Sequence, residues 1–549
     1  MYERARALGE EFRDRGSHVF LGPSPGPMGH SSRAGRGWEG FGADPYLSGV
    51  ATNASVVGVQ SVGVQTATKH YIVNEQERQR VPSLFQNRTT IEAVSSNVDD
   101  RTLHALKCFC HVCLQPGQWA IFVQQSGHSW SGILRDELAF REYVMSDWDA
   151  THATEYANAG LDMEMPGSTS QTRITYFGDS LLASVANGSV LQIRLDDMAK
   201  KVMTAYFKLG QDKIIPAIDP ANGASFLNYQ YGSQSPLSAL YPIVPARDVR
   251  RDHAKSIREI GAAGTVLLKN VDGALPLGNG TSIGVFGNDI SYPTIGSVYL
   301  GSGEGDSLGY EMGTLDIGGG SGTVRHNSFV TPQEAITEKW KARRESGNAI
   351  VEVLWGIVEP SGRLPYSIPK FEADSGPPIV DAVDDSSDAN AWLADFEEGL
   401  VIDYRQFDKN GTTPLYEFGY GLSYTNFSMS ETLAVDFLQT SVSPTPDRSQ
   451  GIAPGGLVDL WNTVLAVTVE MTNSGNRTGF AVPQLYASLP HDTTPPDTPV
   501  KVLVGFEKVM LEAGATRNVT FDLMRRDLSF WGVEEREWVV PRGAIGIII

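Results

Sequence analysis

The stretch that decides how the chain is read is 143-YVMSDWDATH-152, an apolar run of Tyr143, Val144 and Met145 that ends in Ser146, Asp147 and Trp148. Such a run reads as a buried strand, and its abrupt polar end has two readings. On one, S-D-W is a plain strand end, because aspartate is common in turns and tryptophan often caps a core. On the other it is catalytic, because in a parallel α/β barrel the side chains at the C-terminal ends of strands line the active site.

Upstream, 133-ILRDELAFREYVM-145 reads as helix, turn and strand, and 63-GVQTATKHYIVNEQERQR-80 as a strand followed by a polar segment holding Lys69, His70, Glu75 and Glu77. Before it come a charged helix, "MYERARALGEEFRDRG", then the short strand and Gly/Pro loop of "VFLGPSPGP", then "GRGWEGFGADPYLSG", which reads as loop. Downstream, 191-LQIRLDDMAKKVMTAYFKLG-210 carries Leu191, Leu195, Met198, Val202, Ala205 and Leu209 at spacings of four and three and stops at Gly210, an amphipathic helix with a glycine end. Strands alternating with helices up to about residue 210 predict a parallel α/β unit.

Residues 211–245 are rich in Pro, Asn, Ser and Tyr without a period and read as a linker. A second α/β unit follows: "HAKSIREIGAAG" as helix, "TVLLKN" as strand and "SIGVFGND" as a buried strand. The Gly-rich stretch 299–323 lacks the strand and helix that flank a nucleotide loop. Beyond about 455, Val467, Val469 and Met471 alternate with Thr468, Glu470 and Thr472, and "RNVTFDL" repeats the period of two, which predicts an antiparallel β-sandwich.

The totals bound the answer. A chain of 549 residues exceeds one ordinary core, and 41% apolar with 20% charged residues is the composition of a folded protein. No run of about 18 apolar residues predicts a membrane span. A formal charge of -20 argues against nucleic acid and suits a neutral substrate. The three cysteines, Cys108, Cys110 and Cys113, fall within six residues, so they form no disulfide framework, and their spacing fits no standard zinc pattern. Eight N-x-S/T sequons, at Asn53, Asn87, Asn187, Asn279, Asn410, Asn426, Asn476 and Asn518, point to the secretory pathway and to N-glycans. The charged opening has no signal-peptide core, so either the protein is not secreted or the sequence lacks its true beginning.

Several of these stretches together resemble glycoside hydrolase family 3, and most closely its secreted fungal β-glucosidases: "GRGWEGFGADPYLSG", "KHYIVNEQE", "SSNVDDRTLH", "YVMSDWDATH" with "AGLDMEMPG", "GTVLLKN", "SGNAIVEVLWGIVEPSGRLPYSIPK" and "YEFGYGLSYTNF", in the family's order. The resemblance implies an α/β multi-domain fold. It comprises an incomplete (β/α) barrel over 1–210, the linker over 211–245, an incomplete α/β sandwich over 246–370, a connecting segment over 371–454 and a fibronectin-III-like β-sandwich over 455–549. It also implies that Asp147 is the nucleophile of a retaining β-glucosidase, with Trp148 as a sugar platform and Arg36, Lys69, His70, Arg80 and Ser321 among the substrate-binding groups, and with no cofactor or metal.

Four departures from the family pattern qualify this. The chain begins inside the barrel, without an Asp-Gly-Pro segment. Between His104 and Gly132 stands "ALKCFCHVCLQPGQWAIFVQQSGHSWS", without the family's Ser-Tyr-Asn element, which reads as a mis-spliced or frame-shifted piece. Between Trp340 and Gly347 most of the second unit's sheet is missing, and with it the general acid/base glutamate; Glu304, in "SGEG", resembles that motif but precedes its expected place. The end, "GAIGIII", leaves an apolar sheet edge. The alternatives are a catalytically dead relative and an exo-β-xylosidase of the same family.

Overall fold

The computed structural model describes residues 1–26, 31–74, 76–80, 83–84, 90–91, 93–106, 120–123, 130–148, 150–167, 175–219, 247–278, 282–291, 313–314, 330–342, 349–380 and 392–549. Helix α1 (Tyr2–Asp14) leads into strand β1 (Val19–Phe20), helix α2 (Pro45–Gln60) and strand β2 (Gln65–Tyr71). Helix α2 starts inside the stretch read as loop. Asp44 caps it by accepting the Leu47 N–H at 2.9 Å, and Pro45 occupies the first turn.

Strands β3 (Ala120–Val123), β4 (Tyr143–Trp148) and β5 (Met163–Met165) complete a sheet in the order β1-β2-β3-β4-β5, every neighbouring pair parallel. Parallel strands carry all their C-terminal ends to one rim, so the ends of β2 and β4 face the same side. "AIFV", inside the anomalous cysteine segment, supplies the middle strand; the cysteines themselves lie outside the described residues. The π-type helical turn Trp130–Glu137 precedes β4. Helix α3 (Gln192–Lys208) packs Met198 and Ala205 onto the sheet, with Leu195 and Val202 partly buried beside them. Leu191, read as part of that apolar face, is 65% exposed because it is the N-cap and its backbone has left the helix.

The linker opens with an anchored residue. Gln211 is buried, donates to the carbonyls of His18 and Gly63 at 2.7 Å each, and accepts from Gln65 at 2.8 Å. In the second unit helix α4 (His253–Gly264) forms as read, with α5 (Pro332–Ala342) and α6 (Ala349–Leu354) near it. Its two expected strands do not form. "TVLLKN" makes only an isolated bridge, Leu267 to Leu422, and in "SIGVFGND" Phe286 is 91% exposed. A strand is held by its neighbours' hydrogen bonds, and among the described residues these segments have no ladder to join.

The stretch expected to connect the units contributes structure of its own: helix α7 (Tyr404–Asn410) and strands β6 (Phe427–Met429) and β7 (Ala434–Phe437). Both strands pair with β8 (Thr463–Asn473), so the sandwich recruits residues from 427 onward. Strands β9 (Gln484–Ser488), β10 (Val502–Phe506), β11 (Thr516–Met524) and β12 (Gly546–Ile548) follow, with β11 along the other side of β8 and β10-β9-β12 as a second sheet. Val467, Val469 and Met471 of β8 and Val519, Phe521 and Leu523 of β11 point into one core, as the period of two predicts.

Candidate active site

Strand β4 is fixed along its length before it reaches Asp147. The buried Asp162 carboxylate accepts the Val144 N–H at 2.8 Å and is held by Arg135 at 2.8 Å and Arg194 at 2.7 Å. The Tyr143 hydroxyl donates to Gln65 of β2 at 2.8 Å, and the buried Ser146 hydroxyl accepts the Met165 N–H of β5 at 2.8 Å. Ser146 therefore stitches two strands together, and the next residue, Asp147, emerges at the rim.

There the Asp147 carboxylate accepts the Trp148 N–H at 2.6 Å and lies 3.7 Å from Nε2 of His70, whose side chain is almost fully buried at the end of β2. The Trp148 indole is 45% exposed at the same rim. Arg36 comes from the loop after β1, at the start of a short 3-10 helix (Gly37–Glu39), and Lys69 and Arg80 come from the end of β2 and the loop that follows it. Four of the site residues read from the sequence, Lys69, His70, Asp147 and Trp148, are thus carried by the ends of β2 and β4, and Arg36 and Arg80 are brought beside them by loops. Ser321 and Glu304 lie outside the described residues.

Two carboxylates organise the cations: Glu77, from the polar segment noted in the sequence, and Glu39, which the sequence did not single out. Glu39 accepts from Arg36 Nε at 2.7 Å and Nη2 at 2.8 Å, and Lys69 Nζ is 3.3 Å from the same group. Glu77 lies 3.2 Å from Arg80 and 3.7 Å from Arg36. The signal available in sequence was the spacing of Arg36 and Glu39, three apart on a helical turn.

Burial pushes the Asp147 carboxyl above its ordinary value, and the Trp148 N–H and the charges of Arg80, Arg36 and Lys69 pull it down without cancelling that rise. For Glu39 the balance reverses. Burial raises it, but the hydrogen bond from Arg36 and the charges of Lys69 and Arg36 outweigh burial and leave it below the usual carboxylate value. The result is a recessed carboxylate ringed by hydrogen-bond donors beside an exposed indole. Such a site can grip the hydroxyls of a polyol, place a ring on an aromatic face and present an oxygen nucleophile. Among the described residues no three His, Cys, Asp or Glu side chains gather as a metal ion requires. A cleft of about 640 Å³ between α7 and the sandwich, lined by Phe407, Phe418 and Tyr486, shares none of these residues.

Comparison with known proteins places the chain in a family. The glycosyl hydrolase family 3 C-terminal domain matches residues 265–343 and 334–424, two pieces that meet where the sequence breaks from the family pattern, and a fibronectin type III-like domain matches 481–549. Probable β-glucosidase G of Aspergillus terreus is 38% identical over 670 residues, covering 100% of this chain and 80% of the relative. That alignment is longer than the 549 residues present here, so the relative has segments that face none in this chain. Probable β-glucosidase L of the same species is 35% identical over 100% of this chain and 83% of its own length. Among solved structures, β-D-glucoside glucohydrolase of Trichoderma reesei superposes with a TM-score of 0.83 at 32% identity, over 100% of this chain and 85% of that one. The Chaetomium thermophilum β-glucosidase gives 0.85 at 28%, over 100% and 86%. With a recessed carboxylate and its cations at the rim of a parallel sheet, an antiparallel sandwich behind, and relatives of this identity along the whole chain, the protein belongs to glycoside hydrolase family 3.

Proposed function

We propose that the chain is a retaining β-glucosidase that releases glucose from the non-reducing end of cellobiose or aryl β-glucosides, with Asp147 as nucleophile. The observation that carries this reading is the position of Asp147, recessed at the end of β4 and 3.7 Å from His70, with Arg36, Lys69 and Arg80 close enough to act on its charge. An ionised carboxylate there stabilises an oxocarbenium-like transition state and attacks the anomeric carbon, while Arg36, Lys69, His70 and Arg80 hold sugar hydroxyls and Trp148 receives the ring. The names of the relatives support a glucoside over a xyloside and a hydrolase over a dead remnant.

A second carboxylic acid must protonate the leaving group, a contribution of about 10²–10⁴-fold. The break between Trp340 and Gly347 falls where the family resemblance puts that acid, so we read the chain as strongly dependent on leaving-group quality. Activated aryl β-glucosides turn over, and alkyl β-glucosides lag far behind. Comparing turnover of a dinitrophenyl β-glucoside by the parent chain and by Asp147→Ala tests the reading; equal rates would refute it. We also read the protein as a secreted glycoprotein, since Asn187, Asn410, Asn426, Asn476 and Asn518 all lie on exposed positions. A mass decrease on enzymatic deglycosylation of material from a eukaryotic host is the expected result.

A further inference from the structure

We propose that Glu39 is a positioning residue, the counter-ion that holds Arg36 and Lys69 in place for the sugar and keeps both cations off the nucleophile. The inference rests on the reading of Asp147 given above. Both oxygens of Glu39 are engaged, one by Arg36 Nε at 2.7 Å and the other by Arg36 Nη2 at 2.8 Å and Lys69 Nζ at 3.3 Å. All three side chains are recessed, with Glu39 and Arg36 12% exposed and Lys69 13%. Water therefore screens them weakly, and an unopposed pair of cations would seek the nearest carboxylate.

Glu77 lies 3.7 Å from Arg36, and the carboxylate on which the charges of both Arg36 and Lys69 act is Asp147. The groups around it are Lys69 and His70 from β2, Arg36 and Glu39 from the short helix, and Glu77 and Arg80 from the loop after β2. Among the described residues Asp147 has no ion pair within 4 Å to Arg36, Lys69 or Arg80; its contacts are the Trp148 N–H and His70. The cations are nevertheless near enough for their charges to act on it. A carboxylate bound directly by Arg or Lys must break that bond before it attacks carbon, so a counter-ion that satisfies them elsewhere preserves the nucleophile. The bidentate grip also fixes the guanidinium plane. Two of its five N–H donors are spent on Glu39, and the rest remain for hydroxyls and for Glu77.

The test is the pH dependence of kcat and KM on a dinitrophenyl β-glucoside for the parent chain, Glu39→Gln and Glu39→Asp, with thermal midpoints alongside. In Glu39→Gln, Arg36 and Lys69 turn to Asp147, so kcat/KM falls roughly tenfold to hundredfold and the acid limb moves to lower pH. Glu39→Asp keeps the charge with a shorter reach, so its limb returns to the parent position while KM stays raised. A Glu39→Gln protein with the parent's limb and KM overturns the proposal, as does a loss of rate that tracks the thermal midpoint with no movement of the limb. A parent chain that neither turns over nor forms an adduct with a fluoro-sugar refutes the nucleophile reading itself and takes this inference with it.

Discussion

At the scale of single residues, the reactivity of Asp147 is set by a contest between burial and charge. Burial lifts its pKa above the ordinary aspartate value of 3.8, and Arg80, Arg36 and Lys69 oppose the rise. Glycosylation needs the ionised form, so kcat/KM falls as pH drops through a limb higher than that of an exposed aspartate. Removing Arg80 takes away one of the charges that favour ionisation, and the limb of Arg80→Ala moves further up. A pH series on an activated aryl β-glucoside reads both, and a limb at or below the ordinary value in the parent would contradict this account. The substitution Asp147→Ala removes the attacking oxygen, with an expected loss of roughly 10⁴-fold or more in kcat. How much of the site was legible follows from the same residues. Asp147, His70 and Lys69 lie in short motifs at strand ends, where chemistry concentrates. Glu39 escaped because its importance is a matter of distance to Arg36 and Lys69, which spacing alone does not fix.

At the scale of elements, β4 is the strand the site depends on, and Asp162 is what holds it. Its carboxylate is fully buried among Arg135, Arg194 and Lys201 and takes the Val144 N–H, so one side chain joins the strand to the turn before it and to helix α3. Truncating it leaves Arg194 and Lys201 paired with Asp197 but leaves the recessed Arg135 with the Phe140 and Glu142 carbonyls in place of a carboxylate, and Asp162→Ala should cost about 3–5 kcal/mol in a denaturant titration. A cost under about 1 kcal/mol would mean that the cluster is solvated and that β4 is held by its ladder alone. The elements that sequence made legible carry their own pattern: the alternation of Val467, Val469 and Met471, and the spacing of Met198, Val202 and Ala205. Helix α2 was missed although Asp44 and Pro45 spell a capped start, because the aromatic and glycine content before them reads as loop. "TVLLKN" and "SIGVFGND" failed for the opposite reason. Their composition favours strands, but a strand exists only where partners stand beside it.

At the scale of the whole molecule, the first unit and the sandwich are joined through two buried clusters. In one, Asp44 accepts from the Tyr404 hydroxyl at 3.0 Å and pairs with Arg405 at 3.2 Å, while the same hydroxyl accepts the Leu503 N–H at 3.0 Å. In the other, His104 stacks on Trp531 with ring centroids 3.8 Å apart and planes within 6°. Its nitrogens lie 2.8 Å from the Asp100 carbonyl and 2.9 Å from the Glu137 carboxylate. Both partners are acceptors, so the ring is held as an imidazolium. Burial opposes this, but the Glu137 hydrogen bond, the Asp100 carbonyl and the charges of Glu137 and Asp100 raise the His104 pKa above its ordinary 6.5. Its contribution to stability is therefore full below the unfolded value and lost as pH rises through the raised folded one. The thermal midpoint should decline across that window, and His104→Phe, which keeps the stack without the proton, should flatten the decline. An equal slope in both proteins would place the pH dependence elsewhere.

The measurement that tests the central claim most directly is the intact mass of the folded chain after incubation with a 2-deoxy-2-fluoro-glucoside bearing a leaving group that departs without acid assistance. The account predicts one covalent glycosyl adduct, mapping by peptide analysis to Asp147 and absent from Asp147→Ala. A folded chain that gains no mass, or one labelled at another carboxylate, would contradict it.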